Sequence, residues 1–447
     1  MKKRKLVSIL LVAGMLAAMV TGCGGKESTA DSNKEVSTAE SSKGDTAADS
    51  EKKEAANEIV SIMGWYDEDD MEGVINAVNE KLAGEYILEY TFVALSDYNN
   101  VLSTQLASGE GPDIILDGSQ YPARIKAGNV EDITNKEYVK EFSEAGLSLS
   151  MNEGKIYGIP SYGWFSGIWF NKDILSACEV EVPKNFDEFV AACEKIQAAG
   201  YKAMGFGLAD GDTGHSSLQG YLENSFYHNN PNNPDGIDFD SKFAAGEVTL
   251  DGNINDSVKK WCTLIEKGII NPEMLGISNQ DALNSFKAGE VAFFNGGPWQ
   301  YNEIKETGIN FGLMPQLSES GTDVFTGGGP AASLGINVNA ANKSGAEKAL
   351  EAFASVEVQQ AFVDANPGSP SYRTGVETAL PEEYADIAEC VEAGNMAANW
   401  DRWSLNMPSG TMIDESMALV QGLVSGDMTP DEYVKAMDAK ADSIRYE

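Results

Sequence analysis

Ile59-Val60-Ser61-Ile62-Met63, followed by Gly64-Trp65-Tyr66-Asp67 and then by Met71, Val74, Ile75, Val78 and Leu82, decides the fold. A short apolar run of strand type gives way to helical spacing, and Gly84 closes the helix. Tyr86 to Val93 alternates as a second strand. A helix carrying Val101, Leu102 and Leu106 ends at Gly109, and Pro112-Asp113-Ile114-Ile115-Leu116-Asp117 reads as a third strand. This βαβαβ order predicts an α/β protein whose sheet is mostly parallel, with helices on its faces. Ligands of such sheets sit beyond the carboxyl ends of the strands. The residues expected there are Trp65, Tyr66 and Asp67 after the first strand, then Asp117 and Gly118 after the third.

A second series follows. Asn185 with Glu188 three residues on looks like a helix cap. Phe186, Phe189, Val190, Cys193 and Ile196 then fall at helical spacing until Gly200. Ala203 to Leu208 and Val291 to Phe294 read as strands, with Val258 to Ile265 helical between them. Asp210 to Asp240, rich in Gly, Asn, Pro and Ser, is expected to be a long loop with a helix inside it. After Gly327-Gly328-Gly329, Ser333 to Val338 returns as a strand and Ala346 to Val363 as a helix. Two α/β lobes fit the 447 residues.

Toward the N-terminus, Lys2, Lys3, Arg4 and Lys5 precede an apolar or small run from Leu6 to Val20. This is a secretory n-region and h-region, too short for an ordinary membrane-spanning helix. Val20-Thr21-Gly22-Cys23 resembles the lipobox of bacterial lipoproteins, which implies cleavage after residue 22 and acylation of Cys23. Residues 24–57 hold no aromatic and almost no branched aliphatic side chain. Such a segment cannot offset its ordering entropy, and it reads as a disordered tether reaching about 30 Å.

Composition removes several classes of function. Acidic residues outnumber basic ones 69 to 32, a formal charge of −37, which repels nucleic acid and anionic lipid. Only two histidines, His215 and His228, are present, too few for a multi-histidine metal site. No nucleophile elbow, zinc-protease motif or phosphate loop occurs, and no catalysis or cofactor is expected. Two carboxylates suffice for a glycoside hydrolase, so that class stays open as an alternative. Cys178, Cys193, Cys262 and Cys390 read as buried free thiols, with a Cys178–Cys193 disulfide left open.

The order of segments resembles the family 1 extracellular solute-binding proteins, the lipoprotein receptors of carbohydrate ABC importers. Leu106-Ala107-Ser108-Gly109-Glu110-Gly111-Pro112-Asp113-Ile114 is similar to the helix end and Pro-Asp strand of their first lobe. Lys155-Ile156-Tyr157-Gly158-Ile159-Pro160 and Trp169-Phe170-Asn171-Lys172-Asp173 resemble their crossing into the second lobe. Pro183 with Phe186-Asp187-Glu188-Phe189 resembles that lobe's first helix, and Phe286 to Trp299 resembles the family's Gly-Pro-Trp segment. Ala332 to Asn337 with Lys348 to Phe353 resembles the return. The resemblance implies a two-lobed periplasmic-binding-protein-like fold with three crossovers and an interlobe cleft. One lobe is expected to hold residues 58–166 and 326–370, the other 167–325 and 371–447. It further implies a monomer tethered by its lipid to the outer face of the bacterial cell membrane, where ABC permease subunits are its partners. The family's Pro-Ala-Arg-like step is Ser369-Pro370-Ser371-Tyr372-Arg373 here; Pro370 carries over, and the parts of Tyr372 and Arg373 stay open.

Sugars offer C–H faces on which aromatic rings stack and hydroxyls that planar polar groups bond. The expected ligand contacts are Trp65, Tyr66, Asp67, Asp117, Tyr162, Trp164, Asn295, Trp299, Tyr372 and Trp400, with Trp299 foremost because Gly296-Gly297-Pro298 makes a turn that presents it. Each has a packing alternative: Tyr162 and Trp164 as hinge plugs, Asp117 as a turn cap, Trp400 and Trp403 as one helical core face. Gly327 to Gly329 fit either close approach to ligand or a hinge. That mixture suits an uncharged sugar or oligosaccharide, with a polyamine or compatible solute as the alternative solute.

Overall fold

A strand that is apolar at successive positions must be covered on both faces, and a helix following each strand supplies the cover. The computed structural model describes residues 58–228, 236–400, 402–404 and 411–445. The signal peptide, Cys23 and the tether to residue 57 lie outside the described residues. The strands are β1 Glu58–Gly64, β2 Tyr86–Phe92, β3 Ile114–Asp117, β4 Met151–Asn152, β5 Lys155–Ile156, β6 Ile159–Pro160 and β7 Gly163–Phe165. They continue as β8 Gly167–Asn171, β9 Lys202–Gly205, β10 Val291–Gly296, β11 Phe311–Met314, β12 Thr326–Pro330, β13 Ser333–Ile336 and β14 Met396–Ala397. Helices α1 Glu68–Leu82, α2 Leu95–Ser108 and α3 Tyr121–Lys126 follow the first three strands.

The molecule is two-lobed, and each lobe has its own sheet. In the first lobe the order is β2-β1-β3-β13-β6. Val60, Ile62, Ile114 and Leu116 pack with Met71, Val74, Val78 and Leu82 of α1, while Met63 and Ile115 pack with Tyr98, Leu102, Tyr121 and Ile125. Burying each such aliphatic side chain contributes about 1.5–3 kcal/mol. In the second lobe the order is β11-β8-β10-β9. Ile168 and Phe170 join Phe189, Cys193 and Ile196, whereas Trp169 between them joins Phe286, Phe311 and Tyr384.

The expectation of a mostly parallel sheet holds for β2, β1 and β3 in the first lobe and for β9 with β10 in the second; β13 is antiparallel to β3, and β8 is antiparallel to β10 and β11. The crossings explain this. A strand that enters a lobe from the other lobe starts at the cleft end, where the parallel strands finish. Ser333, the first residue of β13, thus faces Asp117, the last of β3, and Gly167 of β8 faces Gly296 of β10. The crossing strands β7 and β12 pair antiparallel, and β14 adds to β12. The third crossing lies past the expected step at 370–371: Ser143 N donates to Tyr372 O at 2.9 Å and Thr374 N to Glu141 O at 2.9 Å, both within the first lobe. Arg373 is tied there too, its Nε donating to Ala354 O at 2.5 Å.

Local expectations are met at Asn185, whose side chain accepts from Glu188 N at 2.9 Å, and at Gly109, left-handed with φ 76°. Others are corrected. The α1 helix is closed by Ala83, itself left-handed at φ 51°, one residue ahead of Gly84. Asp210–Asp240 is mainly helical where described: Asp212–Leu222 runs into a π-helix Glu223–Tyr227, and Gly236–Ala244 follows. Ala346–Val363 is two helices, Lys343–Phe353 and Val356–Ala365, because the Ser355 side chain caps the second. Val258–Ile265 is likewise interrupted at Cys262. Cys178 and Cys193 form no disulfide; all four described cysteines are buried thiols, with burial pushing Cys262 and Cys390 up to about 12.

Packing density makes one residue sharply testable. A Cβ on Gly335 of β13 falls 1.9 Å from Tyr121 Oη and 2.7 Å from the backbone oxygen of Tyr157. Gly335→Ala is expected to lower the unfolding free energy by about 1–3 kcal/mol, read as a lower urea midpoint, since the backbone on that side cannot yield. An unchanged midpoint contradicts this packing.

Candidate ligand-binding site

The end of β1 places Trp65 and Tyr66 where α1 begins, and Asp67 sits at the N-cap, exposed, with no capping hydrogen bond from its side chain. Trp65 lies 5.2 Å from Tyr66 and edge-on to Tyr98 at 4.9 Å, centroid to centroid. Tyr66 in turn lies 5.9 Å from Tyr162, which is buried and packs on Phe362 at 6.0 Å. Tyr90 Oη donates to Tyr66 O at 2.7 Å and fixes the start of this row. Burial pushes the Tyr66 phenol up to about 12, so it is a hydrogen-bonding group and never an anion in use.

At the cleft end of β3, the Asp117 carboxylate is buried, accepting from Gly118 N at 2.8 Å and from Arg124 Nε at 2.8 Å. Ser333 stands opposite it in register, fully buried, and its hydroxyl has no partner.

In the second lobe, Asn295 near the end of β10 is buried with its Nδ2 unpartnered. The next residues make the turn read from the sequence. Gln300 Oε1 accepts from Gly297 N at 2.9 Å and from Trp169 Nε1 at 3.2 Å, fixing Pro298–Gln300 as a single 3-10 turn. A Cβ on Gly297 meets the Trp299 ring at 2.2 Å and Phe165 O at 2.4 Å, so only glycine allows the approach. Trp299 is thereby held out, 43% exposed, and its ring centre lies 6.4 Å from that of Trp164 on the crossing strand β7.

The remaining expected contacts are distributed differently. Tyr372 packs against Gly146 and Gly163 in the first lobe. Trp400 is half-buried and edge-on to His215 at 4.9 Å, and its carbonyl is 2.9 Å from His215 Nε2. Trp403 is a core residue of the second lobe, so the pair does not form one helical face; only Arg402–Ser404 is a short 3-10 turn. Gly327 is hemmed in by Asn399 and Ser166, and Gly328 by Trp164 and Met396, as a crossing strand requires.

Three groups escaped the sequence reading. Arg124 carries no motif and matters only through Asp117. Ser333 has no distinguishing neighbours in the chain. Asp70, one helical turn beyond Asp67, is pushed up to about 6 by desolvation and then by the charges of Asp67, Glu303 and Asp69. Glu303 belongs to the helix Tyr301–Glu306 after the Gly297 turn, so its charge reaches Asp70 from a different part of the chain. Among the described residues, no group of three or more His, Cys, Asp or Glu is arranged to hold a metal ion, and no helix is long and apolar enough to cross a membrane.

The bacterial extracellular solute-binding protein model matches residues 68–360. A putative binding protein of Brucella abortus is 25% identical over 350 residues, covering 77% of this chain and 82% of the relative. The multiple sugar-binding protein of Streptococcus mutans is 24% identical over 397 residues, 84% of each chain. Among solved structures, a family 1 extracellular solute-binding protein from Bifidobacterium longum subsp. infantis superposes with TM-score 0.67 at 24% identity, covering 87% of this chain and all of that one.

Proposed function

The chain belongs to the bacterial extracellular solute-binding protein family, and on that premise we propose that it captures a sugar or oligosaccharide between its lobes and delivers it unaltered to an ABC import permease. The observation that carries this reading is the aromatic pair at the crossing: Trp299, held out on a glycine turn, beside Trp164. Flat apolar rings next to buried polar groups such as Asn295 and Asp117 suit a ligand with C–H faces and hydroxyl edges. In this reading Cys23 carries the lipid, residues 24–57 are the tether, and the receptor works as a monomer on the outer face of the cell membrane. The lobes 58–166 with 326–370 and 167–325 with 371–447, adjusted for the later third crossing, close on the ligand. Closure is a population shift, because only the closed form lets both lobes touch the ligand.

A dose-dependent rise in melting temperature with raffinose, stachyose, maltotriose or chitotriose supports the reading. Trp299→Ala is expected to weaken that binding by about 1–3 kcal/mol, roughly 5- to 150-fold in titration calorimetry. Wild-type affinity in that variant removes Trp299 from the site. A second reading, a cationic solute such as a polyamine, is favoured by the cluster of acidic charges that raises Asp70, from Asp67, Glu303 and Asp69. Stabilisation by spermidine and by none of the sugars selects it.

A further inference from the structure

Asp117 is a buried carboxylate at the cleft end of β3, and the sequence offers no local reason for it to stay charged there. Its environment supplies one. Arg124, seven residues further on in α3, directs Nε to Asp117 Oδ2 at 2.8 Å, and both side chains are largely withdrawn from water, at 11% and 3% exposure. The rest of the guanidinium is fastened to α2: Nη1 donates to Ser103 Oγ at 2.8 Å and Nη2 reaches Asn99 Oδ1 at 3.4 Å. The other oxygen, Oδ1, accepts from Gly118 N. Each oxygen thus has a protein donor, and the unpartnered hydroxyl of Ser333 lies across the strand pair.

We propose that Arg124 is a positioning residue: clamped by Ser103 and Asn99, it holds Asp117 as a fixed anionic acceptor for ligand hydroxyl or amine hydrogens at the first lobe's face of the cleft. This deepens the solute-binding reading and rests on it for the ligand, though not for the state of the carboxylate. The same geometry reaches an aromatic contact. Trp65 lies 3.6 Å from the position a Cβ on Gly118 takes, so a shift of the Asp117–Gly118 step presses on that ring.

Burial is the largest influence and leaves Asp117 raised overall, while the Arg124 charge, its hydrogen bond and the Gly118 amide oppose that rise. The other titratable groups facing Asp117 are Tyr98 of α2 and Tyr121 of α3, both raised well above the usual phenol range by burial and so neutral throughout. Arg124 is thus the one cation among the groups around Asp117 described here. An opposite charge at this range typically lowers a carboxyl by about one to three pH units. Its loss leaves burial less opposed and shifts Asp117 further toward the protonated form, which donates where the carboxylate accepts.

The test uses the full chain and three variants, Arg124→Met, Arg124→Lys and Asp117→Asn. In the ligand-free protein, the Asp117 carboxyl ¹³C signal, assigned by its absence in Asp117→Asn, is titrated from pH 3 to 9. Its midpoint is expected to rise by about one unit or more in Arg124→Met and to return most of the way in Arg124→Lys. In parallel, stachyose affinity is measured from pH 5 to 8.5. Arg124→Met should lose affinity at higher pH than wild type, about tenfold per unit below its midpoint if the anion alone binds, while Asp117→Asn binds weakly with no such slope. An Arg124→Met protein with the wild-type carboxyl midpoint and the wild-type pH profile overturns the inference. If Arg124→Met does not fold, Arg124→Lys and Arg124→Gln carry the same two measurements. A raised midpoint in a protein that binds none of the sugars sinks the sugar reading and leaves the Arg124–Asp117 assignment standing.

Discussion

Replacing Arg402 by methionine is expected to remove about 3–5 kcal/mol of stability, the largest effect of any single change considered for this chain. Arg402 is 7% exposed; its Nη2 bonds Glu223 Oε2, its Nη1 lies 3.2 Å from Asp240 Oδ2, and its guanidinium stacks 3.8 Å from the centre of the Tyr227 ring. Glu223 and Tyr227 are the two ends of the π-helix Glu223–Tyr227, and both turn toward Arg402. Trp403 Nε1 donates to Tyr227 Oη at 2.9 Å, and His228 Nε2 lies 2.8 Å from Glu223 Oε1. Without the guanidinium, the buried carboxylates of Glu223 and Asp240 lose the cation that bonds both of them. The deficit should depend on pH. Burial already pushes Asp240 up to about 7, with the Arg402 charge opposing it. A carboxyl raised above its unfolded value favours the folded state at low pH and costs stability as pH rises through the folded value. The loss in Arg402→Met is therefore larger at pH 8 than at pH 5, where the orphaned acid takes up a proton. Urea unfolding at the two pH values measures it, and a deficit below about 1 kcal/mol at pH 8 contradicts the buried network. Replacing Arg402, Glu223 and Asp240 together by apolar residues should recover much of the loss, because no charge is then left buried.

That network also marks where the sequence stops being readable. Arg402 and Glu223 are 179 positions apart, and no local spacing connects them. By contrast the βαβαβ opening, the Asn185 cap and the Gly297 turn are local signals, and they translate directly into structure. Asp210–Asp240 misled because its small and polar residues serve close packing. A Cβ on Gly214 meets Val420 at 2.7 Å, and one on Gly220 meets Gln316 Oε1 at 1.9 Å. A helix pressed against its neighbours at that distance carries glycine and short side chains, the same composition as a loop. The two helices read as one at Ala346–Val363 share a continuous apolar period that Ser355 alone interrupts. Strand direction in the second lobe was not legible either, since alternation carries no sense of direction; it follows from where each crossing enters. Among the candidate contacts, the strand-end rule pointed to Trp65, Tyr66 and Asp117, which lie at the ends of β1 and β3. What it lacked was the support behind them, Arg124 for Asp117 and His215 for Trp400, which comes from other helices.

His215 gives the second large effect, and its direction is opposite to that of Asp240. A carbonyl only accepts, so the Nε2 facing Trp400 O at 2.9 Å carries the ring proton, and Nδ1 accepts from Ser416 Oγ at 2.9 Å. Ser416 Oγ then accepts from Tyr433 Oη at 2.8 Å. The relay Tyr433–Ser416–His215–Trp400 is complete only for the neutral ring. Burial holds His215 down at about 4, against the Trp400 carbonyl, which raises it; the unfolded value is about 6.5. A group depressed on folding contributes stability fully above its unfolded value and loses it as pH falls toward the folded one. The contribution is thus intact at pH 7 and lost between about 6.5 and 4, amounting at most to about 3 kcal/mol. The comparison protein is His215→Gln, which keeps a donor for Trp400 O and cannot titrate. The acidic side chains common to both proteins cancel in the difference, so wild type should lose up to about 3 kcal/mol more than the variant between pH 7 and 4 in urea unfolding. Parallel pH curves would refute the assignment. The proton enters at the residue that anchors Trp400, so on the proposal that Trp400 contacts the ligand, affinity in wild type should fall through the same acid window and fall less in His215→Gln. If affinity tracks stability in wild type but Trp400→Ala already binds as weakly at pH 7 as wild type does near pH 4, the Trp400 segment is the part of the site that acid releases.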